Sequence, residues 1–311
     1  MTRLLPALAF DEDETPWSWA ARLAAFHIRG SVETFLRDLG LDPFAFSIGE
    51  RDEVARLCAI AGQDPQPVLR NTLSHHIRQV HKLGAEFLAD SLCRPDALRF
   101  CPACLAGDDA EAARLGQHIS IHRRERLIWR LKPFRGCAVH GITLLSRARP
   151  DGGEARGVFG DSVPETDARL EMLVRRAGHL PASPLQGYVI GRIAGHGGPA
   201  WLDGQPLELA IRSTELLGAA LCFGPHTFLD DLSDRECVSA AMAGWDHTSQ
   251  GESGIRHAFH ILRDQAGPAP MTPRRIADTF GILLDDSHYY ADSAPLARLL
   301  RDHIADLAMS G

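Results

Sequence analysis

Arg99-Phe100-Cys101-Pro102-Ala103-Cys104-Leu105 is answered further along the chain by Gly136-Cys137-Ala138-Val139-His140-Gly141. Thirty-two residues separate Cys104 from Cys137, in a chain of 311 residues with only seven cysteines. A structural zinc ion takes four nitrogen or sulfur donors at the corners of a tetrahedron, and two tight Cys-x-x-Cys-like turns supply two donors each. The spacing therefore predicts zinc held by Cys101, Cys104, Cys137 and His140. Two other readings of the thiols are weaker. Buried apolar cysteines have no reason to come in paired turns, and Pro102 points to an exposed loop. A redox Cys-x-x-Cys opens a helix after a strand, and residues 93–100 show no clear strand pattern.

The chemistry implied is structural. A Cys3His set leaves no coordination position for an attacking water. Glu111 and Glu125 lie between the two half-sites and are the candidates for a general base in a metal-dependent hydrolase. No His-x-x-x-His or His-x-Glu arrangement accompanies them, so no catalytic residue is assigned. Zinc of this kind staples a fold, with binding free energy on the order of 10 kcal/mol. His118 and His122, an i, i+4 pair between the half-sites, are candidates for a replacement ligand or for supporting the ligands from behind. His75, His76 and His81 match no known ligand spacing and read as surface or amide-capping histidines.

Working outward, 311 residues suggest two or three modules rather than one core. Apolar content of 45% and charged content of 23% describe an ordinary globular protein. No segment reaches the roughly 18 apolar residues of a membrane span, and Met1-Thr-Arg-Leu-Leu-Pro6 lacks the apolar run of a signal peptide. The cysteine usage fits a reducing compartment, so a cytoplasmic location is expected, with Cys58, Cys93, Cys222 and Cys237 as packed thiols. The chain has neither a Gly-x-x-x-x-Gly-Lys-Ser/Thr loop nor a Gly-x-Ser-x-Gly elbow, and no nucleotide hydrolysis or small-molecule substrate is expected.

A net charge of −7 argues against a protein that coats nucleic acid. Residues 114–149 nevertheless hold nine Lys/Arg and one acid, Glu125. Arg123, Arg124, Arg126, Arg130, Lys132 and Arg135 are the candidate phosphate contacts. The competing reading pairs these cations with acids from elsewhere in the fold.

Start and stop signals describe a mostly α, multi-helical chain with helix-turn-helix-like units and an inserted small zinc finger. Thr15-Pro16 opens a helix burying Trp17, Trp19, Leu23 and Phe26; Ser31 opens a second that ends at Gly40; Asp52 opens a third that ends at Gly62. Asp64-Pro65 starts a fourth, and the turn 62–65 between the third and fourth has helix-turn-helix spacing, or equally that of an ordinary αα-hairpin. Later helices follow Pro206, Asp234, residue 252, Thr272-Pro273 and Ser293. Strand signals are confined to residues 187–193 and a short hairpin by the metal. The division expected is an N-terminal helical domain, 1–97, a zinc-finger insertion, 98–145, a glycine-rich linker or loop, 146–165, and a C-terminal helical domain, 166–311.

Three stretches carry a resemblance to the TniQ family of transposition proteins, which includes target-selecting TnsD-type members. Glu14-Thr-Pro-Trp-Ser18-Trp19-Ala-Ala-Arg22-Leu23-Ala24 looks like the family's opening helix. Arg99 to Leu105, then Trp129, Cys137-Ala138-Val139-His140-Gly141 and Leu144-Leu145 are similar to its zinc-finger signature. Leu216-Leu217-Gly218-Ala219-Ala220-Leu221, and Ala240-Ala241-Met242-Ala243-Gly244-Trp245 followed by Gly251 and Gly254-Ile255, look like the helical half of longer members. The resemblance implies a non-catalytic adaptor that recognises a target, as DNA or through another complex, and hands it to an AAA+ ATPase that recruits a transposase. It places the four predicted donors on the family's zinc ligands and Trp129 on its core tryptophan. The second pair of half-sites found in some members is missing here. The alternative is a zinc-containing, helix-turn-helix-type transcriptional regulator that binds an operator alone.

Overall fold

The fold begins at Thr15, whose hydroxyl accepts the Ser18 amide while Pro16 fills the first helical position. Helix α1, Pro16–His27, buries Trp19 and Leu23 completely. The computed structural model describes residues 3–77, 79–93, 97–148, 159, 163, 166–284 and 294–309. They divide into two units, Met1–Pro181 and Ala182–Gly311.

In the first unit, α1 packs with α2, Val32–Asp38, α3, Pro43–Ser47, α4, Arg51–Ala61, and α5, Pro65–Arg70. Trp19, Leu23, Phe35, Leu36, Val54, Leu57 and Val68 share the resulting core. Helix α3 is absent from the sequence expectation; Asp42 caps it through two amides, Phe44 and Ala45, ahead of Pro43. A helix-turn-helix is not shown in the α4–α5 pair. A helix of six residues is only about 9 Å long, and α5 turns Val68 into the core with Leu69 packed beside it.

Residues 74–89, which carry no apolar run, form an antiparallel meander: β1, Ser74–Ile77, β2, Val80–Leu83, and β3, Glu86–Ala89. The histidines and lysine on these strands hid the period-2 pattern. A short helix α6, Asp90–Cys93, follows. Strand β4, Ala97–Phe100, leads directly into α7, Pro102–Leu115, and pairs antiparallel with β5, Leu145–Ala148, matching Phe100 to Leu145. These strands are far apart in sequence; the short hairpin expected by the metal is formed instead by residues 135–144, where Gly136 bridges Thr143. Helix α8, Asp167–Arg176, also belongs to this unit. The segment that carries the four candidate ligands lies within the first unit, which runs to Pro181. Most of the expected linker, and the Ser293 cap, lie outside the described residues; Phe159 and Val163 are buried beside Trp129 and Leu170.

The second unit is helical: α9, Pro184–Ile193, α10, Ala200–Asp203, α11, Leu207–Phe223, α12, Asp234–Thr248, α13, Glu252–Ala266, α14, Pro273–Phe280, and α15, Pro295–Met309. The expected strand at 187–193 is the end of α9. A capping box between Ser183 and Gln186, with Pro184 at the first position, sets a helix there that outweighs the apolar run. Leu216, Leu217, Ile255, Phe259, Phe280 and Leu300 form its core. Cys58, Cys93 and Cys237 are buried as expected, but Cys222 is exposed. Among the described residues, no helix is long and apolar enough to cross a membrane.

Candidate metal centre

Cys101 is the N-cap of α7 and Cys104 lies in its first turn, with Pro102 at the first helical position. Pro102 is buried and starts a helix, where an exposed loop was expected. Because a strand precedes that helix, local structure alone does not distinguish this Cys-x-x-Cys from a redox dithiol. Convergence of the second half-site does.

Residues 135–144 form a tight hairpin that presents Cys137 and His140. The Cys137 amide bonds Ile142 O at 2.8 Å, the Gly141 amide returns to Cys137 O at 2.8 Å, and the Leu144 amide bonds Arg135 O at 2.9 Å. Gly141 sits at φ 61, a left-handed turn that disfavours a side chain. At Gly136 a Cβ would strike the Leu180 carbonyl, so the hairpin lies directly against the segment after α8. Leu180 N also bonds Gly141 O at 2.8 Å.

The first half-site is tied to this hairpin by Arg99, two residues before Cys101. Its guanidinium donates to the carbonyls of Leu131, Lys132 and Phe134. Sequence reading missed that role, although Arg99 stands in the quoted signature. Trp129, 1% exposed, packs under the ligands with Leu98, Phe100, Leu105 and Leu144.

The donor atoms of Cys101, Cys104, Cys137 and His140 all lie within 4.8 Å of one another. Cys104 Sγ is 3.7 Å from Cys137 Sγ, and His140 Nδ1 is 3.5, 3.4 and 3.5 Å from the sulfurs of Cys101, Cys104 and Cys137. A tetrahedral ion about 2.3 Å from sulfur and about 2.0 Å from nitrogen requires edges of about 3.8 Å between sulfurs and about 3.6 Å from sulfur to nitrogen. The observed edges match that figure. The Cys104 amide bonds the Cys101 sulfur and the His140 amide bonds the Cys137 sulfur, so each turn also aims a backbone N–H at a thiolate. Hydrogen bonds from Cys101 and Cys104 hold Cys137 far below the usual thiol range. The same contacts, with burial, push Cys104 far up. Thiolates this close repel one another, a conflict that a bound cation removes. These four residues could hold a metal ion.

Histidines 118 and 122 stand outside the cluster. His118 caps its own turn through the Ser120 amide, and His122 Nε2 lies 2.6 Å from Gln117 Oε1. Glu111 pairs with Arg114, while Glu125 is buried and accepts the Thr15 hydroxyl at 3.1 Å. Neither carboxylate belongs to the ligand cluster.

Two members of the basic row, Arg123 and Arg126, are interior. Arg123, 2% exposed, makes a two-pronged pair with Asp109 and also donates to Val163 O. Arg126, 7% exposed, holds both oxygens of Asp108 at 2.7 and 2.9 Å and stacks its guanidinium 5.0 Å from the centroid of Trp129. Arg124 pairs with Asp11 and Asp108, and Arg130 Nε lies 3.8 Å from Glu125. Burial and two-pronged pairing withdraw Arg123 and Arg126 from phosphate contact, because a buried guanidinium already satisfied by a carboxylate has no face left for solvent. Arg124, Arg130, Lys132 and Arg135 are half-buried.

The opening helix joins the same network. Glu14, wholly buried, accepts Arg22 at 2.6 Å and the Ser18 hydroxyl at 2.8 Å. Burial pushes its carboxyl up to about 7 against the opposing pull of Arg22 and Ser18. Arg22 Nε reaches Ile121 O at 2.7 Å, and the Glu125 amide donates to Ser18 Oγ at 3.0 Å. The residues Glu14, Ser18 and Arg22, singled out for their likeness to a family opening, are therefore the joint between α1 and the metal segment.

Residues 5–144 match the family model described as TniQ. This segment, a little under half of the chain, is a TniQ segment. The TniQ match spans the opening helix and both half-sites, ending at Leu144; the stretches of the second unit that resemble longer members lie beyond it. It associates the chain with DNA transposition. No curated protein and no solved structure matches the chain.

Proposed function

We propose that this protein is a non-catalytic TniQ adaptor in transposition, whose metal-braced first unit links target recognition to an AAA+ regulator and its transposase. The observation that carries the reading is the convergence of Cys101, Cys104, Cys137 and His140 within the TniQ segment. Zinc is the ion proposed, since three thiolates and one imidazole at tetrahedral spacing suit it. It would brace α7 against the 135–144 hairpin and, through Glu14 and Arg22, set the angle of the opening helix.

DNA is part of the reading as a partner, with Lys132 and Arg135 the members of the basic row proposed to contribute. The regulator alternative needs a second helix free to enter a groove, and six-residue α5 does not favour it.

Co-purification tests the proposal. The full chain, mixed with an AAA+ ATPase regulator of transposition, should elute as one complex and change target choice without hydrolysing ATP itself. A chain that ignores the ATPase yet binds a defined operator tightly would overturn it.

A further inference from the structure

The β1–β3 meander has two unlike faces. His81, Leu83 and Leu88 point inward, His81 holds Asp90 at 2.8 Å, and Glu86, directly opposite Leu83, shares that side. The outer face is defined by register and ring contacts. Lys82 stands opposite both Ser74 and Phe87, Val80 opposite Ile77 and Ala89, and the His76 ring lies against Phe87 at 4.8 Å between centroids. Lys82 Nζ sits 5.8 Å over the Phe87 ring. Phe87 is 45% exposed and Ile77 60%.

Among the described residues this outer face carries no carboxylate, on a chain of net charge −7. It combines an exposed aromatic ring, a second ring beside it and an ammonium group. That is the chemistry by which small sheets receive unpaired bases, since every base offers a π-face and every linkage a phosphate. An acidic peptide would use the ammonium group but not the paired rings.

We propose that the outer face of the β1–β3 sheet is a stacking platform for an unpaired nucleic-acid strand, with Phe87 and His76 receiving bases and Lys82 meeting phosphate. The platform is separate from the basic row of the metal segment. Its test reads nucleic-acid binding alone, so its failure leaves the adaptor reading standing.

The experiment is fluorescence anisotropy of the full chain with a labelled 20-nucleotide oligothymidylate, with a duplex of equal length and with polyglutamate as competitor. Phe87→Ala should weaken single-strand binding roughly 5- to 150-fold, the range for loss of one stacked base. Phe87→Tyr should restore it, which a merely structural role for the ring would not require. Lys82→Gln should flatten the slope of log affinity against log salt by about 0.7. The duplex, whose base faces are covered, should bind more weakly than the single strand. Absent single-strand binding, unchanged affinity in Phe87→Ala, equal losses in Phe87→Ala and Phe87→Tyr, or displacement by polyglutamate at equal charge would each overturn the proposal.

Discussion

The metal half of the first unit and the α11–α12 pair of the second reach close packing by opposite means. Around the ligand cluster the interior is charged: Glu14 with Arg22, Asp108 with Arg126 and Asp109 with Arg123 are all buried pairs. Between α11 and α12 the interior is almost bare backbone. A Cβ at Gly218 would strike the Ala240 carbonyl, and one at Gly244 the Thr214 carbonyl. Thr214 and Thr248 share a 3.0 Å hydroxyl contact in the same seam. A charged interior is fixed by directional bonds that each need a partner, and the proposed ion at its centre would add to its rigidity. A glycine seam is fixed mainly by volume, here with one hydroxyl contact between Thr214 and Thr248. The two should therefore fail differently.

The largest effect separates them most sharply. Cys137→Ser removes a ligand from a site with binding free energy on the order of 10 kcal/mol. The first unit should lose its cooperative transition while the second keeps its own, as read by calorimetry and hydrogen exchange. Asp108→Ala comes next, leaving Arg126 buried without its carboxylate at a cost of about 3–5 kcal/mol to the first unit. The salt slope of any DNA binding should not move. Gly244→Ala should cost about 1–3 kcal/mol by overpacking, lowering only the transition of the second unit. If it lowered the first instead, the comparison would be broken.

The smallest effect is a pH dependence. His303, buried among Phe259, Phe280 and His260, has its pKa lowered to about 4 by burial and then by His260, Arg256 and Arg263, with Asp306 opposing. A depressed histidine binds fewer protons folded than unfolded between pH 4 and 6.5. Its contribution is therefore present above pH 6.5 and is lost as the pH falls through that window toward 4. Thermal midpoints of His303→Phe should fall less on acidification than those of the wild type.

The same contrast governs what the sequence reveals. Ligands are legible because the chemistry restricts both residue type and spacing; Cys101, Cys104, Cys137 and His140 were found by those rules alone and converge in space. Helix caps are legible for a similar reason, as Thr15, Ser31, Asp64 and Thr272 each accept an amide where expected. Partnerships between charges are not. Nothing local in 123–126 announces Asp108 and Asp109, fourteen to eighteen residues earlier, so a basic run reads as a surface although two of its arginines are interior. The β1–β3 sheet was hidden because polar residues occupy its strands. Helix α9 was misread because a short stretch, apolar but for Arg192, fits either strand or buried helix until its cap is weighed.

Metal analysis of the purified full chain, with X-ray absorption at the zinc edge, tests the central claim most directly. One zinc per chain bound by three sulfurs and one nitrogen is the predicted result, reduced in Cys137→Ser. A metal-free protein with an intact first unit, or zinc in a shell of oxygen donors, would contradict it.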